Sequence, residues 1–300
     1  MARTNIFELL AKNTSISKDA IRLDNLFTTA ACFEQEPSYN QNSYSWTLKE
    51  YVDSFCFAGW KNRHRCLDVK DYFETIEYDK IFIRAQCGSF DDFLTFIEIV
   101  YNFWYLAVKK LDEATHNGIV LSKRSTGDYT AAEIKDFLDD CLSEYNQKAV
   151  YSEAEEKCLV MEDSPQATAA AEASEPEIAL EILRYNHRQL AGDIPKKKAI
   201  LKNMGDHLEG RKIEINSINS SLYNNITGAL NNLNIRHNNT NPANKSYYHK
   251  AVAEMPVEEL EQHYDDLYQL FLLAILEMDN VPRQREMREL IQVVTRKDLN

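Results

Sequence analysis

Four consecutive residues, Arg236-His237-Asn238-Asn239, combine a permanent positive charge, an imidazole and two amides. A guanidinium can hold a phosphate through paired hydrogen bonds, and histidine exchanges its proton near neutral pH. We therefore interpret this cluster as able to bind an anion and to move a proton. His249 can join the cluster if the loop at 241–246 folds back.

A structural role is the alternative for the first two members of this cluster. At the end of a helix, Arg236 and His237 can satisfy the last carbonyl groups, where a cation is favoured by about 0.3–1 kcal/mol. Within a helix, Arg236 and Asn239 share one face, whereas His237 lies about 100° away. Arg236 and His237 can therefore reach one target only if the helix ends there, as it would with a tight turn at Asn238.

The segment that leads to the cluster has the pattern of an amphipathic helix. Its apolar residues recur at steps of three and four, which places them on one face. These residues are Leu222, Ile226, Ala229, Leu230 and Leu233. The opposite face carries mainly asparagine, and eight asparagines occur between Asn224 and Asn241. Asparagine is a mediocre helix former because its amide competes for the backbone, so helix stability does not explain this run.

Composition favours a helical protein with a sizeable buried core. The chain has 300 residues, of which 44% are apolar, and it contains only eight glycines and seven prolines. Glycine and proline are typical of turns, so their scarcity predicts a mostly α fold. The net charge of −13 disfavours nonspecific binding to nucleic acid or to a membrane surface unless cationic side chains are gathered locally.

The order of these patterns along the chain predicts two domains. Residues 1–165 form a mostly helical N-terminal domain, whose longest helix spans 90–114. Residues 157–162 are β-prone and predict a small β element, with 148–151 as a hairpin partner. Residues 174–300 form a C-terminal antiparallel helical bundle, because amphipathic segments of about 10–20 residues follow one another with short links.

No motif for a cofactor or a metal accompanies these segments. The sequence lacks a glycine-rich phosphate loop, an HExxH or GxSxG motif, and cysteine or histidine pairs at zinc spacing. Its six cysteines include no CxxC pair, which predicts reduced thiols and a cytoplasmic location. No apolar run reaches the length that spans a bilayer. We therefore expect no cofactor, no metal and no membrane partner.

Three short stretches carry a family resemblance. They are Tyr185-Asn186-His187, Gly192-Asp193, and residues 233–239 before a long final helix. On these stretches, residues 176–280 resemble a domain of the HEPN superfamily, helical bundles that include ribonucleases and nucleotide-binding modules of bacterial toxin and antiviral defence systems. The resemblance implies an abortive-infection-like effector whose domain forms a homodimer and cuts RNA without a metal.

The family pattern is an arginine, a polar residue and then, a few residues later, a histidine. Arg236 and the polar His237 match the first half of this pattern. The positions where the histidine belongs hold Asn241, Pro242 and Ala243. The sequence therefore departs from the family in the second half of the motif.

Metal-free cleavage of RNA needs a group that takes the proton of the ribose 2′-hydroxyl, a group that protonates the leaving oxygen, and a fixed cation for the phosphate. We assign Arg236 to the phosphate and His237 to proton transfer. Asn238 and Asn239 are expected to orient both side chains, together with Asn232. His249 is the candidate for the missing second histidine.

A second hypothesis belongs to a different class of function. In it the bundle is a catalytically inactive HEPN-like adaptor, which binds a protein partner of a defence complex. Residues 283–297 predict a separate, final basic amphipathic helix, with Met287, Leu290, Ile291 and Val294 on one side, and this helix is the candidate docking element. The same segment could instead cap the bundle.

Overall fold

The computed structural model shows a mostly α-helical protein with small antiparallel sheets, which confirms the fold class predicted from the sequence. The chain divides into two compact units, Met1–Glu162 and Asp163–Asn300. Each unit has its own apolar core. The structure describes residues 6–35, 44–115, 118–121, 125–126, 129–130, 133–153 and 155–297.

The first unit combines helices with short strand pairs. Its helices are α1 (Ile6–Thr28), α2 (Leu48–Phe55), α3 (Val69–Thr75), α4 (Tyr78–Gln86), α5 (Phe90–Thr115) and α6 (Ile134–Glu144). Its strands are β1 (Phe33–Gln35), β2 (Tyr44–Trp46), β3 (Ile119–Leu121), β4 (Ser125–Thr126), β5 (Tyr129–Thr130), β6 (Gln147–Ser152) and β7 (Lys157–Glu162). They pair antiparallel in the orders β2-β1-β3, β4-β5 and β6-β7. The β6-β7 pair confirms the predicted hairpin.

The central helix of this unit is α5, close to the predicted bounds 90–114. Phe93, Phe96, Val100 and Phe103 recur at steps of three and four, and all four side chains are fully buried. Acidic residues occupy the first turn of α5, where the helix dipole favours negative charge. The aromatic stripe therefore forms the core of the unit.

Two buried polar side chains of α5 complete the hydrogen bonding of the hairpin. Asn102 accepts a hydrogen bond from the Cys158 N–H (2.8 Å) and donates to the Cys158 carbonyl (3.1 Å). Glu98 Oε2 accepts from the Val160 N–H (3.0 Å). These bonds satisfy backbone groups on the edge of β7 away from β6, where the described part of the chain places no further strand.

The regular elements of the second unit, among its described residues, are helices. Its helices are α7 (Pro165–Glu172), α8 (Pro176–Tyr185), α9 (Ile194–Gly210), α10 (Lys212–Asn232), α11 (Lys250–Ala253) and α12 (Val257–Lys297). Helices α7 to α10 and the first half of α12 surround one apolar core. Ser164 and Asp193 cap the starts of α7 and α9 by accepting from the backbone N–H groups of Ala167 and Lys196.

Helix α10 bends at Asn219, whose backbone φ of −149° and ψ of 84° are not helical. The Asn219 side chain accepts from the Leu222 N–H (3.0 Å), so it caps the second half of α10 as an N-cap residue would. Its amide also donates to Glu277 of α12 (3.2 Å). The second half of α10 therefore carries the apolar face predicted from Leu222 onward, and the first half extends back to Lys212.

A buried polar cluster joins α8, α9 and α12. Lys197, whose side chain is 7% exposed, donates to Asp265 Oδ1 (2.6 Å) and pairs with Glu261 Oε1 (2.8 Å). Tyr185 also donates to Asp265 Oδ1 (2.9 Å), and its ring stacks on that of Tyr268 with centroids 4.1 Å apart. A buried lysine is tolerated only with such partners, so this cluster fixes the three helices to one another.

Helix α12 is a single helix of 41 residues that continues through Pro282. The prediction of a separate final helix at 283–297 is therefore wrong. Pro282 lacks the N–H that would bond the carbonyl of Met278, and the helix tolerates this loss at one position. Residues 281–295 are exposed, so this end does not cap the bundle. Among the described helices, none combines the length and the apolar character that crossing a bilayer requires.

Candidate functional site

The chain turns sharply between the end of α10 and Arg236. Helix α10 ends at Asn232, and Asn234 takes a left-handed backbone conformation with φ 59°. The Arg236 N–H donates to the Leu230 carbonyl (2.9 Å), which closes the turn on the last turn of the helix. Arg236 and His237 therefore lie beyond the helix, so the 100° separation that a helix imposes does not apply to them.

Hydrogen bonds of Asn239 stabilise this turn. Its Oδ1 accepts from the Asn234 N–H (2.8 Å), and Asn234 Oδ1 accepts in return from the Asn239 N–H (3.2 Å). The Asn239 side-chain amide donates to the Tyr247 carbonyl (2.7 Å). Asn239 is 0% exposed, so it shapes the turn and does not face solvent.

The Arg236 side chain reaches across to α9. Its Nη2 donates to the Gly205 carbonyl (3.1 Å) and forms ion pairs with Glu209 Oε2 (2.7 Å) and Asp206 Oδ1 (3.6 Å). The side chain is 15% exposed, and its Nε is buried without a hydrogen-bond partner among the described residues. The guanidinium is thus held in place by α9 and keeps an unused donor.

His237 is oriented by an aromatic contact. Its ring stacks on the ring of Tyr247, with centroids 3.9 Å apart and planes inclined by 16°. Tyr247 is 42% exposed, so this stack lies at the surface. The contact restricts the imidazole to one plane without occupying its nitrogens.

The other two predicted site residues, Asn238 and His249, lie elsewhere. His249 Nε2 is 3.0 Å from Asn232 Oδ1, and its backbone N–H donates to the Asn239 carbonyl (2.9 Å). Asn238 is exposed, and its Oδ1 accepts from the Thr240 hydroxyl (3.2 Å). Neither Asn238 nor His249 lines the groove that contains Arg236 and His237.

This groove, which we call the polar groove, lies between α9, α10 and the turn after α10. Its volume is about 680 Å³, and both Arg236 and His237 line it. Helix α9 contributes Lys202, Asp206 and Glu209, at steps of four and three along one helical face. The fold therefore brings the predicted arginine and histidine to one concave surface, together with charged side chains from a different helix.

The asparagine face of α10 forms the wall of the polar groove. Asn224, Thr227 and Asn231 follow one another at steps of three and four, and Asn216 lies on the other side of the bend. An amide offers both donors and an acceptor, as the edges of nucleobases do. Several of the asparagines that helix stability does not explain therefore have a place in the structure as lining residues of the polar groove.

Charge in the polar groove differs from that of the chain as a whole. Lys202, Lys212 and Arg236 are cationic, whereas Asp206 and Glu209 are the carboxylates among its lining residues. The chain carries a net charge of −13. Local gathering of cations is what an acidic protein needs to hold a phosphate. The groove can therefore bind an anion if the two carboxylates, whose side chains are 58–59% exposed, turn aside from Arg236.

Comparison with known proteins gives no family assignment. No protein-family model, no curated protein and no solved structure matches this chain. Within the described residues, no group of three or more histidine, cysteine, aspartate and glutamate side chains is arranged to hold a metal ion. The interpretation of the polar groove therefore depends on its own residues.

The sequence did not reveal that α9 would contribute to the site. Lys202, Asp206 and Glu209 lie in a segment that reads as an ordinary amphipathic helix. Their spacing places them on one face, but nothing in one sequence says that this face meets Arg236. The sequence did contain the charged stripe itself, which lies on a different face of the helix from the buried residues Leu201 and Leu208.

Proposed function

We propose that the unit Asp163–Asn300 is a HEPN-like domain that binds RNA in the polar groove and cleaves it without a metal. In this proposal the protein is the effector of a bacterial toxin or antiviral defence system. The observation that carries it is that Arg236 and His237, which a helix would separate, line one groove together.

The roles follow from the chemistry of the side chains. Arg236 binds the phosphate, because a guanidinium forms paired hydrogen bonds with phosphate oxygens and its present carboxylate partners are exposed enough to turn aside. His237 protonates the leaving 5′-oxygen, since an imidazolium releases its proton near neutral pH. Lys202 and Lys212 draw the RNA backbone into the groove.

The amide wall of the polar groove suits single-stranded RNA. Asn224 and Asn231 are seven residues apart, which is about 10 Å along a helix. This distance spans roughly three stacked nucleotides at 3.4 Å each. Unpaired bases expose the edges that an amide can bond, whereas the deep groove of an RNA duplex hides them.

A test in cells compares the wild-type chain with Arg236→Ala and His237→Ala. We expect the wild type to stop growth and to fragment total RNA, and both variants to leave growth and RNA intact. Arg84→Ala is the matched control, because Arg84 pairs with Asp92 at 2.7 Å, as Arg236 does with Glu209, but lies in the first unit. Growth arrest and RNA damage that persist in Arg236→Ala would remove the ribonuclease assignment.

An adaptor that binds a protein partner is the second candidate function, and the exposed end of α12 favours it. Met287, Leu290, Ile291 and Val294 are each at least half exposed and recur at helical spacing. If this surface carries the function, the double variant Leu290→Glu/Ile291→Glu abolishes the cellular effect. Arg236→Ala then leaves the effect unchanged, which is the opposite of the result expected for an RNase.

The family resemblance also suggests a homodimer, in which two copies of the second unit meet. Light scattering of the purified chain measures this directly. A mass near twice 34.8 kDa supports a homodimer, and a mass near 34.8 kDa at micromolar concentration excludes it.

A further inference from the structure

We infer that Glu209 supplies the second proton-transfer group of the polar groove, as the base that takes the proton from the ribose 2′-hydroxyl. This inference rests on the proposed ribonuclease function. Cleavage of RNA by its own 2′-hydroxyl needs a base as well as an acid. His237 can serve as only one of them at a time, so a second group is required.

The histidine that could fill this role by sequence is not in the groove. His249 lies against Asn232, and the described lining of the polar groove contains no imidazole besides that of His237. The groove does contain carboxylates. A carboxylate can act as the base with a histidine as the acid, which is a common division of labour in proton transfer.

Glu209 is placed where the base is needed. Its Oε2 lies 2.7 Å from Arg236 Nη2, so a carboxylate that gives up this contact to a phosphate stays next to the nucleotide that the guanidinium then holds. Its side chain is 58% exposed and lines the polar groove, so a ribose can approach it. Asp206 is the competing carboxylate, but its nearest oxygen is 3.6 Å from the guanidinium, so its contact with Arg236 is the weaker one.

The chemical step balances with these two groups. The Glu209 carboxylate takes the 2′-hydroxyl proton while the 2′-oxygen forms a bond to phosphorus. The bond from phosphorus to the 5′-oxygen breaks, and the His237 imidazolium gives its proton to that oxygen. Arg236 holds the nonbridging oxygens as their charge grows. The products are a 2′,3′-cyclic phosphate and a free 5′-hydroxyl, and proton exchange with water resets both side chains.

The test compares Glu209→Gln with Asp206→Asn in the full-length protein. Cleavage of a labelled single-stranded RNA is measured from pH 4 to 9, and binding is measured with the same RNA carrying 2′-O-methyl groups, which cannot react. We expect Glu209→Gln to lower the cleavage rate by about 10²–10⁴-fold.

The affinity for the 2′-O-methyl RNA distinguishes a catalytic base at Glu209 from a residue that only supports the structure of the groove. Glu209→Gln removes a negative charge from an RNA-binding groove, so its affinity for the 2′-O-methyl RNA should equal or exceed that of the wild type. Asp206→Asn should keep most of the cleavage rate. Glu209→Asp, which keeps the carboxylate on a shorter side chain, should cleave more slowly than the wild type but faster than Glu209→Gln.

Wild-type cleavage by Glu209→Gln would overturn the inference, as would a loss of cleavage that matches a loss of binding. If Arg236→Ala and His237→Ala are inactive while Glu209→Gln is not, this inference fails and the proposed function stands. If the wild-type chain does not cleave RNA at any pH, both fail together.

Discussion

Replacing Asn239 by alanine removes the side chain that holds the turn after α10. The change leaves the Asn234 N–H and the Tyr247 carbonyl without their present partners. An unsatisfied buried group costs about 1–3 kcal/mol, and less where water can reach it. Asn239 is 0% exposed, whereas Tyr247 is 42% exposed, so the Asn234 group carries most of the cost. We expect the free energy of unfolding of the second unit to fall by about 2 kcal/mol.

Urea denaturation can assign this loss to one unit. All three tryptophans, Trp46, Trp60 and Trp104, belong to the first unit, so their fluorescence follows that unit. Far-ultraviolet circular dichroism follows the helices of both. With a denaturant slope of about 2 kcal/mol per M, the loss lowers the midpoint of the second unit by about 1 M. The tryptophan transition should keep its midpoint.

Asn238→Ala is the control, because it makes the same substitution at the neighbouring, exposed position. Its free energy of unfolding should stay within about 0.5 kcal/mol of the wild type. Equal midpoints for the two variants would refute the structural role of Asn239. A shift that appears only in the tryptophan signal would refute it as well.

Two further predictions concern the buried cluster of α8, α9 and α12. Lys197→Met leaves the carboxylates of Glu261 and Asp265 without their cation. Both carboxylates are partly exposed and keep other donors, so the second unit should lose about 1–2 kcal/mol in the same urea titration. A change below 0.5 kcal/mol would contradict this. Separately, the hydrogen bond from Lys197, and then that from the Gly192 N–H, hold the pKa of Glu261 below its ordinary value of 4.5. Because the pKa of Glu261 is lower in the folded protein than in the unfolded chain, the ionised carboxylate stabilises the folded protein above pH 4.5. This stabilisation is lost as the pH falls through the lowered value. In Glu261→Gln, the urea midpoint of the second unit should therefore fall less on acidification than it does in the wild type. An equal fall in both proteins would contradict the lowered pKa of Glu261.

Periodicity in the sequence was enough to predict the main elements. The apolar steps of three and four locate α5, because a helix with a wide aromatic face can be stable only when that face is buried. The β-prone stretch 157–162 likewise predicts the hairpin. These signals are local, since each depends on residues within one or two turns of helix or one strand.

The candidate site could be predicted only in part. Arg236 and His237 were found because their side chains suggest a chemistry, but the turn that brings them together depends on Asn234 and Asn239, whose mutual hydrogen bonds no periodicity predicts. The contribution of Glu209 depends on how closely α9 approaches the turn. Such proximity between elements is a property of the packed bundle. The continuation of α12 through Pro282 was missed for a related reason, because proline ordinarily favours a break.

Cleavage of a labelled single-stranded RNA by the purified chain, in the presence of a metal chelator, tests the central claim most directly. The account predicts fragments that end in 2′,3′-cyclic phosphate and 5′-hydroxyl groups. It also predicts that Arg236→Ala and His237→Ala lower the rate by at least about 10²-fold, whereas Arg84→Ala does not. Intact RNA after incubation with the wild type, or equal cleavage by Arg236→Ala, would contradict the claim that Arg236 and His237 act on one phosphate in the polar groove.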